Sequence, residues 1–170
     1  TAQQVETEEI IQESWVDASQ YTIIDEAEDS EVDGVHVLAR ISGPAFFPEA
    51  VSGNKVYYPT TLWQEQLSNT DVKRKLDDRL MFGTIGHDIK NLGDKEIREG
   101  LHAHVVSKIW INESGIGEAE YLILNTGPGQ VLNTLFRGAK SKLKVSTKAT
   151  GVLKPYAGGA SPGTRTPKPD

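Results

Sequence analysis

A β-rich α+β domain with few helices is what this sequence predicts, on three observations. Short runs of β-branched and aromatic residues recur: VHVLARI (Val35–Ile41), HVVSKIWI (His104–Ile111) and AEYLIL (Ala119–Leu124). Helical spacing is confined to two regions, one after Pro59 and one after Asn125. Nowhere do strand and helix alternate as a nucleotide-binding βαβ fold requires. The 170 residues suffice for one domain with its own core. With 37% hydrophobic and 25% charged residues, that domain is expected to fold as an ordinary soluble protein.

The elements follow in order. Residues 1–34 read as a weakly ordered acidic arm, with at most a short helix, because the apolar pairs Ile10-Ile11 and Ile23-Ile24 stand isolated in polar sequence. VHVLARI alternates with period two and opens the folded part as a strand. Ser42–Pro59 (SGPAFFPEAVSGNKVYYP) has the Gly, Pro and Asn punctuation of a loop. Thr60 or Thr61 can cap a helix bearing Leu62, Trp63 and Leu67, and Val72, Leu76 and Leu80 line one face of a second. FGTIGHD (Phe82–Asp88) is a glycine-rich loop. Two strands joined by the turn NESGIGE (Asn112–Glu118) come next. NTGPGQVLNTLFRGA (Asn125–Ala139) is a capped helix with Val131, Leu132, Leu135 and Phe136 on its apolar side. A strand over 143–147 succeeds it. The last sixteen residues, 155–170, hold four prolines and read as a flexible tail or linker. The domain proper thus spans 35–154, and the start at Thr1 suggests a piece of a longer protein.

Charge is segregated. Residues 1–39 carry eleven acids from Glu6 to Asp33 and no lysine or arginine, whereas 137–154 carry Arg137, Lys140, Lys142, Lys144, Lys148 and Lys154 and no acid. Such poles either attract each other, steer a charged partner, or are two unrelated solvated surfaces. The net charge of −6 and a pI near 5.3 argue against nucleic acid as the partner of the basic segment. No apolar run approaches the ~18 residues of a membrane helix, so no membrane partner is expected. The absence of cysteine excludes disulfides and thiol catalysis, and fits a reducing compartment.

Within the basic segment stands Ser146. On a strand over 143–147 it shares one face with Lys142, Lys144 and Lys148, opposite Leu143, Val145 and Thr147. A serine hydroxyl becomes a nucleophile only beside a base, for which the chain offers His36, His87, His102 and His104. His87 lies in a loop made pliable by Gly83 and Gly86, and His102 and His104 point the same way on a strand. A serine in a basic strand is far more often solvated than catalytic. The His-x-His pair could ligate zinc with His87 or Asp88, but no ligand-spaced cluster completes a site, and neither metal nor cofactor is expected. There is no P-loop and no G-x-G-x-x-G run.

The order of motifs changes that balance. GNKVYYP (Gly53–Pro59), a helix, MFGTIGHD (Met81–Asp88), HVVSKIWIN (His104–Asn112) and then Ala119–Lys154 resemble the prohead maturation proteases of tailed phages, particularly the T4-like type. The resemblance covers residues 35–154 and rests on order and spacing instead of any single motif. It implies a herpesvirus-protease-like fold, a small β-barrel flanked by a few helices. It also implies a serine endopeptidase that cuts scaffold and capsid precursors after glutamate, inside the prohead in the infected host cytoplasm, and that cleaves itself. His87 aligns with the family's general base and Ser146 with its nucleophile; Thr147 replaces a second serine and Asp88 a proline. His104 matches a strand histidine of many relatives, as an orienting residue or an ordinary core one. The third catalytic member, expected on a strand after the nucleophile, is not evident. Lys144 and Lys148 would then complement an acidic substrate, and IIDE (Ile23–Glu26) and GIGE (Gly115–Glu118) read as cleavage signals. A homo-oligomer is compatible with the sequence. The competing reading is a non-enzymatic capsid-assembly or scaffold protein that kept the fold.

Overall fold

The computed structural model describes residues 8–14, 22–25, 30–32, 35–51, 55–85, 100–139, 141, 145–151, 153–155 and 165–167. Its centre is a five-stranded antiparallel sheet in the order β2-β5-β10-β9-β8. These strands are β2 (Thr22–Asp25), β5 (Ala39–Phe46), β8 (Phe82–Thr84), β9 (His102–Ile111) and β10 (Gly117–Ile123). Around it lie two-stranded pairings: β1 (Glu8–Ser14) with β11 (Val145–Gly151), β3 (Ser30–Val32) with β4 (Val35–Val37), β6 (Ala50–Val51) with β7 (Tyr57–Tyr58), and β12 (Leu153–Pro155) with β13 (Arg165–Pro167). Three helices are described: α1 (Thr60–Ser68), α2 (Thr70–Asp77) and α3 (Gly127–Arg137). The expected β-rich α+β character is present. The expected barrel is not: among the described residues β2 and β8 remain opposite edges and no pairing closes the sheet.

Alternation along the strands makes the core. Ala39, Ile41, Phe46, Ala119, Tyr121 and Ile123 are all buried in one cluster, against which Trp63 and Leu67 of α1 and Leu132 and Phe136 of α3 pack. Phe46 stacks on Trp63 at 3.8 Å between ring centroids. A second cluster joins Val37 to Leu122, each almost fully buried. Burying a leucine of this kind stabilises by about 2–3 kcal/mol.

The structure departs from the expected elements in instructive places. The stretch read as loop, Ser42–Pro59, continues β5 as far as Phe46. Pro44 sits within the strand because the ladder to β10 is irregular beside it, between Gly117 and Glu118. Helix α1 is not capped by a threonine: Pro59 is its N-cap and makes no side-chain bond. The Thr60 N–H instead donates to Glu49 Oε1 at 2.8 Å. That bond, with a second from the Tyr57 hydroxyl, holds the Glu49 carboxyl below the usual carboxylate range. Asn69 caps α2 by accepting from the N–H groups of Asp71 and Val72. α2 ends before Leu80, which is exposed, as is Val131 on α3. The segment expected as an acidic arm carries three strands and no described helix, and the segment expected as a tail carries β13.

Candidate active site

Ser146 lies near the start of β11, the strand that follows α3 in the chain. Thr126 caps α3 by accepting from the Gly129 N–H at 3.0 Å, while its own hydroxyl donates to the His102 carbonyl at 2.7 Å. One side chain therefore closes the helix and ties it to β9. Gly129 is needed at this junction, because a Cβ there would stand 1.8 Å from the Leu124 carbonyl oxygen. At the other end Arg137 donates to the Leu38 carbonyl at 3.0 Å and to Asn133 Oδ1 at 2.9 Å. The chain then turns, with the Ser141 N–H donating to the Leu135 carbonyl.

β11 pairs antiparallel with β1 along its whole length, with Glu13 opposite Ser146, Ile11 opposite Lys148 and Glu9 opposite Thr150. The acidic and basic segments of the sequence are therefore joined in one backbone ladder, with no acid set directly opposite a lysine. Lys142, Lys144, Gly86, His87 and Asp88 lie outside the described residues, so neither the alignment of His87 with Ser146 nor a zinc role for His87 or Asp88 is placed by the fold. His36 occupies β4, opposite Glu31 of β3.

His102 and His104 do share a face of β9, opposite Thr84 and Gly83 of β8 respectively. Gly83 is thus in a strand, not a pliable loop, and its missing side chain has a purpose. A Cβ at Gly83 would fall 2.0 Å from His104 Cε1, so the imidazole occupies the space above the neighbouring strand. Its other neighbour is Tyr121, met edge-on at 5.0 Å. Burial pushes the His104 imidazole down to about 4, making it neutral at physiological pH. Its Nδ1, like that of His102, is buried and finds no hydrogen-bond partner among the described residues. His102 lies against Phe82, ring centroids 5.6 Å apart.

Sequence reasoning missed one charged constellation. Glu120, 4% exposed on β10, lies 3.2 Å from Arg40 Nε and 3.5 Å from Lys108 Nζ, on the two strands that flank it. The Arg40 Nε–H is not aimed to complete a hydrogen bond, so this contact is an ion pair only. Two positions along the strand, Glu118 accepts from the Trp110 indole N–H at 2.9 Å. The alternation Glu118-Ala119-Glu120 was the available signal. What it lacked was the register that sets Lys108 opposite Glu120.

No family model matches the sequence, and no curated protein matches it either. Among solved structures, similarity is found to the bacteriophage T4 capsid assembly protease, gp21, with a TM-score of 0.69. It spans 96% of this chain and 90% of that one at 16% sequence identity. The chain has the fold of a phage capsid assembly protease. At that identity the likeness speaks for architecture. It extends into both ends of the chain, beyond the residues 35–154 over which the motifs resemble such proteases.

Proposed function

We propose that this protein is a serine endopeptidase of phage prohead maturation, with Ser146 as nucleophile and His87 as general base. The observation that carries the reading is the fold shared almost end to end with the T4 protease, in a chain whose motif order aligns these two residues with a catalytic pair. In the reaction His87 takes the Ser146 proton as the hydroxyl oxygen attacks a peptide carbonyl. The tetrahedral oxyanion is held by preorganised donors and collapses with expulsion of the amine, which takes its proton from the imidazolium. Water, deprotonated by the same histidine, then releases the acyl group and restores the hydroxyl. We assign His104 to the packing of β9 on β8, since a neutral imidazole set against Gly83 and Tyr121 fits that role.

Scaffold and capsid precursors are the proposed substrates, cut after glutamate inside the prohead in the infected host cytoplasm. Lys144 and Lys148 bracket Ser146 and complement the acidic side chain, an attraction that salt screens. The ladder between β1 and β11 supports self-cleavage, because it lays the acidic arm along the strand of the nucleophile. Of the two signals in the sequence, the one at Ile23–Glu26 is favoured. Glu118, the end of the other, sits in a strand bonded on both sides and is engaged by Trp110.

The test compares cleavage of a Glu-rich scaffold peptide by the wild type, Ser146→Ala and His87→Ala. Loss in both variants, by about a thousandfold or more, is expected. Equal cleavage by all three removes the assignment. A folded wild type that neither cuts nor reacts with a serine-directed fluorophosphonate points to a capsid-assembly role without catalysis.

A further inference from the structure

The strand that carries Ser146 belongs to a two-stranded sheet, and no ladder among the described residues joins that sheet to the central one. β11 touches β5 of the central sheet without a ladder between them, so the chain that leaves its far end is a second hold on its position. Two residues beyond that end begins β12, which pairs with β13: Leu153 opposite Pro167, Lys154 opposite Thr166, Pro155 opposite Arg165. β13 has a second attachment. The Arg165 N–H donates to the Lys55 carbonyl at 3.0 Å, and Arg165 forms a parallel bridge with Val56. Lys55 adopts a left-handed backbone, φ 61°, where a lysine is uncommon.

Pairing over three residues is marginal by itself in water. Here it is anchored by burial. Thr166 is 6% exposed, Pro167 is buried, and β13 packs against β7, beside the buried Val56 and Tyr58. From β7 the chain passes through Pro59 directly into α1, whose Trp63 packs into the main core. A continuous mechanical path thus runs from β11 through β12, β13 and β7 to α1 and the core.

We propose that residues 165–167 are a positioning strap for Ser146, tying the nucleophile's strand to the core through Lys55 and Val56. The strap rests on the protease reading only for its catalytic consequence; its structural part stands apart from it. It acts through β11, so its removal disturbs the orientation of the serine more than the binding of a peptide.

Two variants test this: a chain ending at Thr164, and full-length Arg165→Pro, which lacks the N–H that reaches Lys55. Hydrogen exchange of the amides at 145–151 and 117–123 is measured in both, with kcat and KM on the Glu-rich peptide. Expected are several-fold faster exchange at 145–151, unchanged exchange at 117–123, and a fall in kcat with little change in KM. Adding a synthetic peptide of residues 164–170 to the shortened chain should restore part of both. Unchanged exchange at 145–151 in both variants overturns the strap. So does a uniform loss of protection that includes 117–123, which would make these residues a general stabiliser. If the wild type cuts nothing, the exchange pattern decides the strap alone, and only the protease reading falls.

Discussion

The five-stranded sheet and the β1–β11 ribbon use the same backbone ladder but are held in place differently. In the central sheet β9 and β10 are joined by a tight turn, in which Asn112 Oδ1 accepts from the Ser114 and Ile116 N–H groups, and both faces have buried residues. In the ribbon the partners come from the two ends of the chain, with Glu13 and Ser146 separated by 146 − 13 = 133 residues. Closing so long a loop costs more chain entropy than a hairpin. The central sheet is consequently where stability is expected to concentrate, and the ribbon where opening is cheap. Under the proposed function, this division would let the strand that carries Ser146 exchange partners while the central sheet stays folded.

The most severe way to break the central region is Gly129→Ala. Its Cβ would meet the Leu124 carbonyl oxygen at 1.8 Å and the Ala103 carbonyl oxygen at 3.0 Å, and backbone cannot swing aside as a side chain can. A loss of about 3 kcal/mol is expected in urea unfolding. A loss below about 1 kcal/mol would mean that α3 is less tightly seated on β9 than the Thr126 bonds indicate.

A change of comparable kind comes from pH, through His104. Folding holds this imidazole at about 4 against 6.5 for an exposed histidine, because burial disfavours its charged form. As pH falls through 6.5 the unfolded chain takes up the proton first, so stability is lost between pH 6.5 and 4, by up to about 3 kcal/mol. Urea titrations at pH 7, 5.5 and 4.5 should show a shallower pH slope for His104→Leu than for the wild type. Parallel slopes would place the titrating group elsewhere.

The smallest effect on global stability belongs to the ribbon. Removing residues 1–14 takes away the partner of β11 but leaves every strand of the central sheet, and should cost less than about 1 kcal/mol. Peptide cleavage should rise at the same time, since the strand lying along Ser146 is gone. Falling activity would mean that β1 supports the site instead of covering it.

Much of the centre is legible in local sequence pattern. The alternation in Val35–Ile41 marks strand, although the structure divides that run between β4, outside the central sheet, and β5 from Ala39 onward; the glycine-containing turn after Ile111 locates the β9–β10 hairpin, and Thr126 with Pro128 announces α3. Pro44 misleads, since a proline reads as loop unless an irregular ladder accommodates it. Gly83 misleads as well, because a glycine that makes room for a ring on the next strand looks, in sequence, like a flexible hinge. The ribbon is illegible: EEIIQES has no period of its own, and its strand character arises only on pairing with β11. For the candidate site, the proposal of Ser146 and His87 rests on motif order, since residue types alone do not single them out, whereas the neutrality of His104 follows only from its burial.

By itself, the sequence determined which segments could bury a face, where α3 starts, and that positive charge gathers around one hydroxyl, because these follow from side-chain chemistry and short-range spacing. Tertiary structure alone decided that the acidic end lies along the serine's strand, that Glu120 is enclosed by Arg40 and Lys108, and that Arg165 reaches Lys55. Each of those joins residues far apart along the chain, and register across strands is set by packing that no local pattern encodes.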